Sequence, residues 1–177
     1  MTTLTNKIVL GISGSVRENS SNTVVLNTIA SLLPINTEYI FYKNLLSIPP
    51  FNPDVNNEIP SVKELRDLVS KADLIVICTP EYAFGVPGVL KNALDWLVQS
   101  GEFNEKIVFA ISVSPLGCGG EKCLFSLTQT LTALGTQIST ETCLSIPIIN
   151  SKLNQQKEII DLELILQFQK MIDSLQW

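Results

Sequence analysis

The sequence predicts an α/β fold, an open parallel sheet with helices on both faces. Strand and helix signals alternate five times along the 177 residues, as that architecture requires. Two strand candidates, residues 73–79 (DLIVICT) and 106–113 (KIVFAISV), are short unbroken apolar runs, as expected of strands covered on both sides. No repeat, low-complexity tract or linker interrupts the chain. Residues 1–177 therefore read as one domain, long enough to bury a substantial core.

The first strand is KIVLGIS at residues 7–13. A Gly/Ser-rich turn follows, then a helix over 23–33 with apolar and small residues at helical spacing. TEYIFYK at 37–43 has the aromatic and β-branched content of a second strand. Residues 45–60 are dense in Pro, Asn and Asp and read as a long surface loop. Ser61, with Glu64 three residues on, forms a capping box that starts a helix over 61–72. After the strand at 73–79, a helix is expected from Pro87 to Ser100, with Gly101 as its stop. Gly119 and Gly120 open a helix to about Leu134, and residues 136–146 supply the last strand. A final helix carries Leu162, Ile165, Phe168, Ile172 and Leu175 as an apolar stripe.

Composition narrows the function. With 45% hydrophobic and 16% charged residues the chain is an ordinary globule. Its net charge of −5 and scattered basic residues argue against nucleic acid or an anionic membrane as partner. No apolar run approaches the roughly 20 residues of a membrane span. The start, MTTLTNK, has no apolar signal core, so a cytoplasmic setting is expected. There is no histidine, which excludes Ser–His–Asp and Cys–His catalysis and His-ligated zinc. Cys78, Cys118, Cys123 and Cys143 form no C-x-x-C pair; they read as reduced thiols, with no metal site.

Three unusual loops follow the first, third and fourth strands, and strand order should bring them to one cleft. The first, Gly14 to Asn22, is neither a dinucleotide fingerprint nor a Walker A loop. Its Ser15, Arg17, Ser20, Ser21 and Asn22 suit a phosphate at a helix N-terminus. Simple capping by Ser20 or Asn22 is the alternative. The second, Pro80 to Gly88, offers backbone N–H groups and the rings of Tyr82 and Phe84 to a flat polar ring, or is merely a stiff connection. The third, SPLGCGGEK, lets backbone approach a ligand at Gly117, Gly119 and Gly120, or is a flexible link. Together they outline a site with a phosphate cradle and a ring slot but no nucleophile, which suits a cofactor that carries the chemistry itself.

Gly14-Ser15-x-Arg17-x-x-Ser20-x-Asn22, Pro80-Glu81-Tyr82 and Pro87-Gly88-x-Leu90-Lys91-Asn92-Ala93-x-Asp95-Trp96 strongly resemble the NADPH-dependent FMN reductase family. The resemblance spans nearly the whole chain. It implies a three-layer flavodoxin-like fold with strand order 2-1-3-4-5, FMN as cofactor and NADPH or NADH as donor. By the same resemblance Ser15, Arg17, Ser20, Ser21 and Asn22 would hold the FMN phosphate. Pro80, Glu81, Tyr82 and Ala83 would border the flavin ring, and Ser114, Gly117, Gly119 and Gly120 would form the opposite wall. Asp95 and Trp96 would be structural, and no side chain would be catalytic in its own right.

Two departures stand out: Ala83 replaces a common Asn, and Pro115 replaces a common Gly. The implied activity is passage of hydride from nicotinamide to FMN and on to free flavin, a quinone, an azo compound or a similar small acceptor. The rivals are a flavodoxin-type electron carrier and a flavin-binding regulatory protein. The resemblance also implies a homodimer or homotetramer, with residues 45–60 and Phe84 lining a partner's cleft.

Overall fold

Alternation of side chains along five strands sets the architecture. They are β1 (Lys7–Ser13), β2 (Thr37–Tyr42), β3 (Leu74–Pro80), β4 (Ile107–Val113) and β5 (Cys143–Ile146). All pairings are parallel and the order is β2-β1-β3-β4-β5, the order expected from the family resemblance. The structure is a computed structural model that describes residues 6–55 and 57–175; the reading of the first five residues, and Asn56 of the long loop, lie outside it.

Successive strand residues point to opposite faces, and each face has its own core. Leu10, Ile12, Ile75, Ile77, Val108 and Ala110 pack beneath α2 (Pro60–Lys71), α3 (Gly88–Asp95) and α4 (Glu121–Ala133). Val9, Leu74, Val76, Cys78, Phe109 and Ile111 pack against α1 (Ser21–Leu32) and α5 (Leu162–Asp173). The result is three layers, helix–sheet–helix, as the alternation of strand and helix signals predicts.

Several boundaries differ from the sequence expectation, each for a local reason. The capping box does not form. Helix α2 begins at Pro60, whose fixed φ suits a first helical position, and its N-cap Ile59 makes no side-chain cap bond. The Glu64 carboxylate accepts from Asn44 Nδ2 instead, at 3.1 and 3.0 Å.

Helix α3 ends at Asp95 rather than Ser100. The Trp96 carbonyl accepts from Arg66 Nη2 at 2.9 Å, and the chain continues in tighter turns from Leu97 to Leu94 and from Val98 to Asp95. Strand β5 is only four residues long. Thr142 Oγ1 accepts from the Ser139 N–H at 3.0 Å, so hydroxyl chemistry builds a 3₁₀ turn where ladder pairing was expected. In α5 the buried face is Leu164, Phe168, Met171 and Ile172, while Leu162 is 73% exposed.

The long loop is tied down. The side chain of Asn92 accepts from the Phe51 N–H at 2.8 Å and donates to the Pro49 carbonyl at 2.9 Å. Trp96 Nε1 also donates to Pro49 O at 2.8 Å, and its ring meets Phe51 edge-on at 5.2 Å. Asp95 pairs with Lys91 one turn away, at 2.5 Å. The long α3 motif therefore works as an anchor for residues 48–51.

Candidate functional site

The loops after β1, β3 and β4 leave the carboxyl edge of the sheet and converge on one cleft of about 640 Å³, within the usual range for a small-molecule site. The cleft lies where strand order reverses, beside β1 and β3.

The first loop hangs on β3 through a 2.8 Å bond from the Gly14 N–H to the Cys78 carbonyl. Ser13 Oγ closes the loop, donating to the Ser15 carbonyl at 3.0 Å and accepting from the Ser15 N–H at 3.2 Å. Ser20 is the N-cap of α1. Its Oγ accepts both from the Asn22 N–H at 3.2 Å and from Asn22 Nδ2 at 3.0 Å. A hydroxyl has one proton and two lone pairs. With both lone pairs engaged, the Ser20 proton has no acceptor among the described residues, and Ser20 lines the cleft. Arg17 lines it too and makes no ion pair among the described residues.

Asn22 lines the cleft as expected and also has a supporting duty. Its Oδ1 accepts from Cys78 Sγ at 3.4 Å while its Nδ2 holds Ser20. Burial pushes the Cys78 thiol well above its ordinary range, so it stays a protonated donor. A buried chain from Cys78 through Asn22 to Ser20 thus orients the cap hydroxyl.

The second loop is anchored to α4. The Glu81 carboxylate accepts from the Cys123 N–H at 2.9 Å. The Pro80 carbonyl accepts from Thr79 Oγ1 at 3.1 Å and from Cys123 Sγ at 3.4 Å. Tyr82 and Gly85 exchange backbone bonds of 3.1 and 3.0 Å around Ala83 and Phe84. Both central residues have positive φ, 49° and 63°, a type I′ turn. Pro80, Glu81 and Tyr82 line the cleft; Ala83 sits in the turn outside the lining.

The third wall is formed by Ser114, with Pro115 and Leu116 beside it. Its glycines stand elsewhere. At Gly119 (φ +63°) an added Cβ would come within 2.2 Å of Ser145 Oγ, and its carbonyl accepts from Ser112 and Ser145. Gly120 backs onto Ser112 and Glu81, and Gly117 faces open space. Gly119 and Gly120 pack the α4 entry closely on β4 and β5, and none of the three glycines is among the residues lining the cleft.

A fourth wall escaped the sequence reading. Ile149, Asn150, Leu153, Asn154, Gln155 and Lys157, from the connection between β5 and α5, line the same cleft. The rule that brought three loops to this edge places the connection after β5 there as well. The polar run NSKLNQQKE was the available signal.

Comparisons with known proteins give the family and the fold. A family model described as NADPH-dependent FMN reductase matches residues 8–150. The chain belongs to that family. A quinone reductase of Escherichia coli is 34% identical over 160 residues, covering 86% of this chain and 85% of the relative. An NAD(P)H-dependent FMN reductase of Pseudomonas aeruginosa is 35% identical over 130 residues, covering 71% and 70%. Among solved structures, the flavoenzyme NAD(P)H:(acceptor) oxidoreductase FerB of Paracoccus denitrificans shares the fold, with a TM-score of 0.84 at 24% identity over 94% and 93% of the two chains.

As a member of the NADPH-dependent FMN reductase family the chain is an oxidoreductase that works with FMN and reduced nicotinamide dinucleotide. The cleft's donors fit that cofactor: a helix N-terminus, the Ser20 hydroxyl and a guanidinium with no ion pair among the described residues match a phosphate dianion. Among the described residues no helix is long and apolar enough to cross a membrane, and no His, Cys, Asp and Glu cluster could hold a metal.

Proposed function

We propose that the cleft binds FMN with its phosphate at Ser15, Arg17, Ser20 and Ser21, and that the second substrate is a small aromatic electron acceptor of the quinone class. The observation that carries this reading is the Ser20 hydroxyl, which accepts twice from Asn22, has no acceptor for its own proton among the described residues, and lines the cleft with Arg17. Asn22 acts behind Ser20 as a positioning residue. Pro80, Glu81 and Tyr82 border the ring end, and Ser114 faces them.

When bound, FMN supplies redox chemistry that no side chain here offers, taking hydride from reduced nicotinamide and releasing two electrons to the acceptor. The protein's part is orientation. The turn from Tyr82 to Gly85 and the Glu81–Cys123 bond keep the ring wall in place, and the exposed Tyr82 ring offers a flat apolar surface at the mouth. Relatives named for quinone reduction support a quinone acceptor, among them a 2-hydroxy-1,4-benzoquinone reductase 36% identical over 86 residues. An NADPH azoreductase, 40% identical over 85 residues, keeps azo compounds as the competing class.

The test is anaerobic. NADPH added to the FMN-loaded protein should bleach the flavin absorbance in one two-electron phase, and a benzoquinone should restore it faster than free FMN or an azo dye does. No bleaching, or a semiquinone that builds up only under chemical reductants, would make the protein an electron carrier instead. The expected state is a homo-oligomer in the cytoplasm, with Phe84, 67% exposed, and the loop around Leu46 reaching a second copy. A monomeric mass by light scattering would end that part of the reading.

A further inference from the structure

The wall contributed by the connection from β5 to α5 is a built hairpin. Leu153 bridges Ile159 in antiparallel fashion. The Asn154 N–H donates to the Glu158 carbonyl at 2.9 Å, and the Lys157 N–H donates to the Asn154 carbonyl at 3.0 Å. Asn154 clamps the tip from inside. Its Oδ1 accepts from the Glu158 N–H, and its Nδ2 donates to the Glu158 carboxylate, both at 2.8 Å. At the base the Ile160 N–H donates to the Lys152 carbonyl at 2.9 Å, and Lys152 pairs with Asp161, the N-cap of α5.

Lys157 stands at the tip with φ +61°, a conformation in which glycine or asparagine is normally found. A non-glycine residue held there by its surroundings is strained, and such strain gathers at functional positions. Charge gives the position a purpose. Lys152 is bound to Asp161, and Lys122 lies over the Phe84 ring at 3.8 Å. Glu158 is taken by Asn154 and Glu81 by Cys123. Lys157, like Arg17, makes no ion pair among the described residues, and both line the one cleft. Two cations with no ion pair among the described residues thus share a cleft in a chain of net charge −5.

We propose that Lys157 is a second cationic contact for a phosphate monoester in this cleft. The hairpin carries it there, and it complements the forked Arg17 with a point charge. The proposal rests on the FMN reading of the cleft, and the ligand it names first is the FMN phosphate. The added phosphate of NADPH has the same chemistry, and the experiment separates the two.

The variants are Lys157→Gly, which suits the positive φ and leaves the hairpin intact, Lys157→Gln and Lys157→Arg. FMN and riboflavin affinities of the apoprotein are read by flavin fluorescence at low ionic strength, and the Michaelis constants for NADPH and NADH are read on the loaded protein. Expected for Lys157→Gly and Lys157→Gln is FMN binding weakened about tenfold, the loss of one charged contact. Riboflavin binding should be unchanged, thermal stability should hold in Lys157→Gln and hold or rise in Lys157→Gly, which relieves the positive φ, and Lys157→Arg should restore FMN affinity. A rise in the NADPH constant alone, with FMN affinity and the NADH constant unmoved, would support the same contact on the donor's phosphate.

Equal weakening of FMN and riboflavin, or no change in any of the four quantities, would overturn the proposal. Wild-type protein that binds FMN no better than riboflavin would instead sink the FMN reading of the cleft itself.

Discussion

The Glu81 carboxylate accepts a 2.9 Å hydrogen bond from the Cys123 N–H, at the third position of α4. Helix α4 has no side-chain cap of its own, because Gly120 occupies the N-cap. A residue 42 positions away in sequence fills that role, meeting an orphan donor and the positive end of the helix dipole. The same bond fixes the ring wall of the cleft. Glu81→Ala should cost about 0.5–2 kcal/mol, the range of a lost cap, measured as a drop in urea midpoint. Glu81→Gln keeps an acceptor and should recover most of it. Unchanged stability in Glu81→Ala would show that the bond contributes nothing.

Ser20 separates two roles that the sequence leaves entangled. Its Oγ caps α1 by accepting from the Asn22 N–H, while its proton remains for a ligand. An aspartate at this position also caps a helix but presents charge to an incoming phosphate. Ser20→Asp should therefore keep thermal stability within about 0.5 kcal/mol of wild type and lose FMN binding at micromolar concentrations. Ser20→Ala should lose about 1 kcal/mol of stability as well as affinity. If Ser20→Asp still binds FMN at wild-type affinity, the phosphate lies elsewhere.

How much of this was legible in the sequence depends on which force decides each element. The unbroken apolar runs of β3 and β4 are legible because burial on both faces leaves no other pattern. The loops at Ser15, Pro80 and Ser114 are legible because strand order alone brings them to one edge. Helix starts are harder. Ser61 and Glu64 look like a capping box, yet Pro60 sets the start and Asn44 takes Glu64, a partner 20 residues away. The roles of Asn92 and Trp96 as clamps on Pro49 and Phe51 are tertiary, and local sequence does not encode them. The hairpin that carries Lys157 depends on Asn154 and Glu158, a side-chain clamp with no hydrophobic period to announce it.

The Cys123 thiol gives stability an alkaline limit. It donates to the Pro80 carbonyl at 3.4 Å. Burial raises its pKa from 9.0 to about 11, with the charge of Glu81 adding to the rise and a Thr79 hydrogen bond opposing it. Because the folded value lies above the unfolded one, the native state holds the proton more tightly. The contribution is whole below about pH 9.0 and is lost as pH climbs through about 11. The thiols of Cys78 and Cys143 are raised in the same direction. Urea midpoints measured from pH 8 to pH 11 should fall, and Cys123→Ser, which can still donate to Pro80 but does not titrate there, should flatten part of that fall. A slope identical to wild type would rule the thiol out.

The turn from Tyr82 to Gly85 holds two non-glycine residues in the left-handed region, Ala83 at φ 49° and Phe84 at 63°. Asparagine tolerates that region better than alanine, and type I′ turns favour Asn-Gly at these positions. Ala83→Asn should therefore raise stability by about 0.4–1 kcal/mol, seen as a higher midpoint with the denaturant slope unchanged. Phe84→Gly tests the opposite balance. It relieves the same kind of strain but removes the ring beneath Lys122, 3.8 Å from its centroid. An exposed cation–π contact contributes about 0.5–1 kcal/mol, so gain and loss should nearly cancel. A clear stabilisation in Phe84→Gly would mean that Lys122 gains nothing from the ring, and a clear loss would mean that the turn is not strained at Phe84.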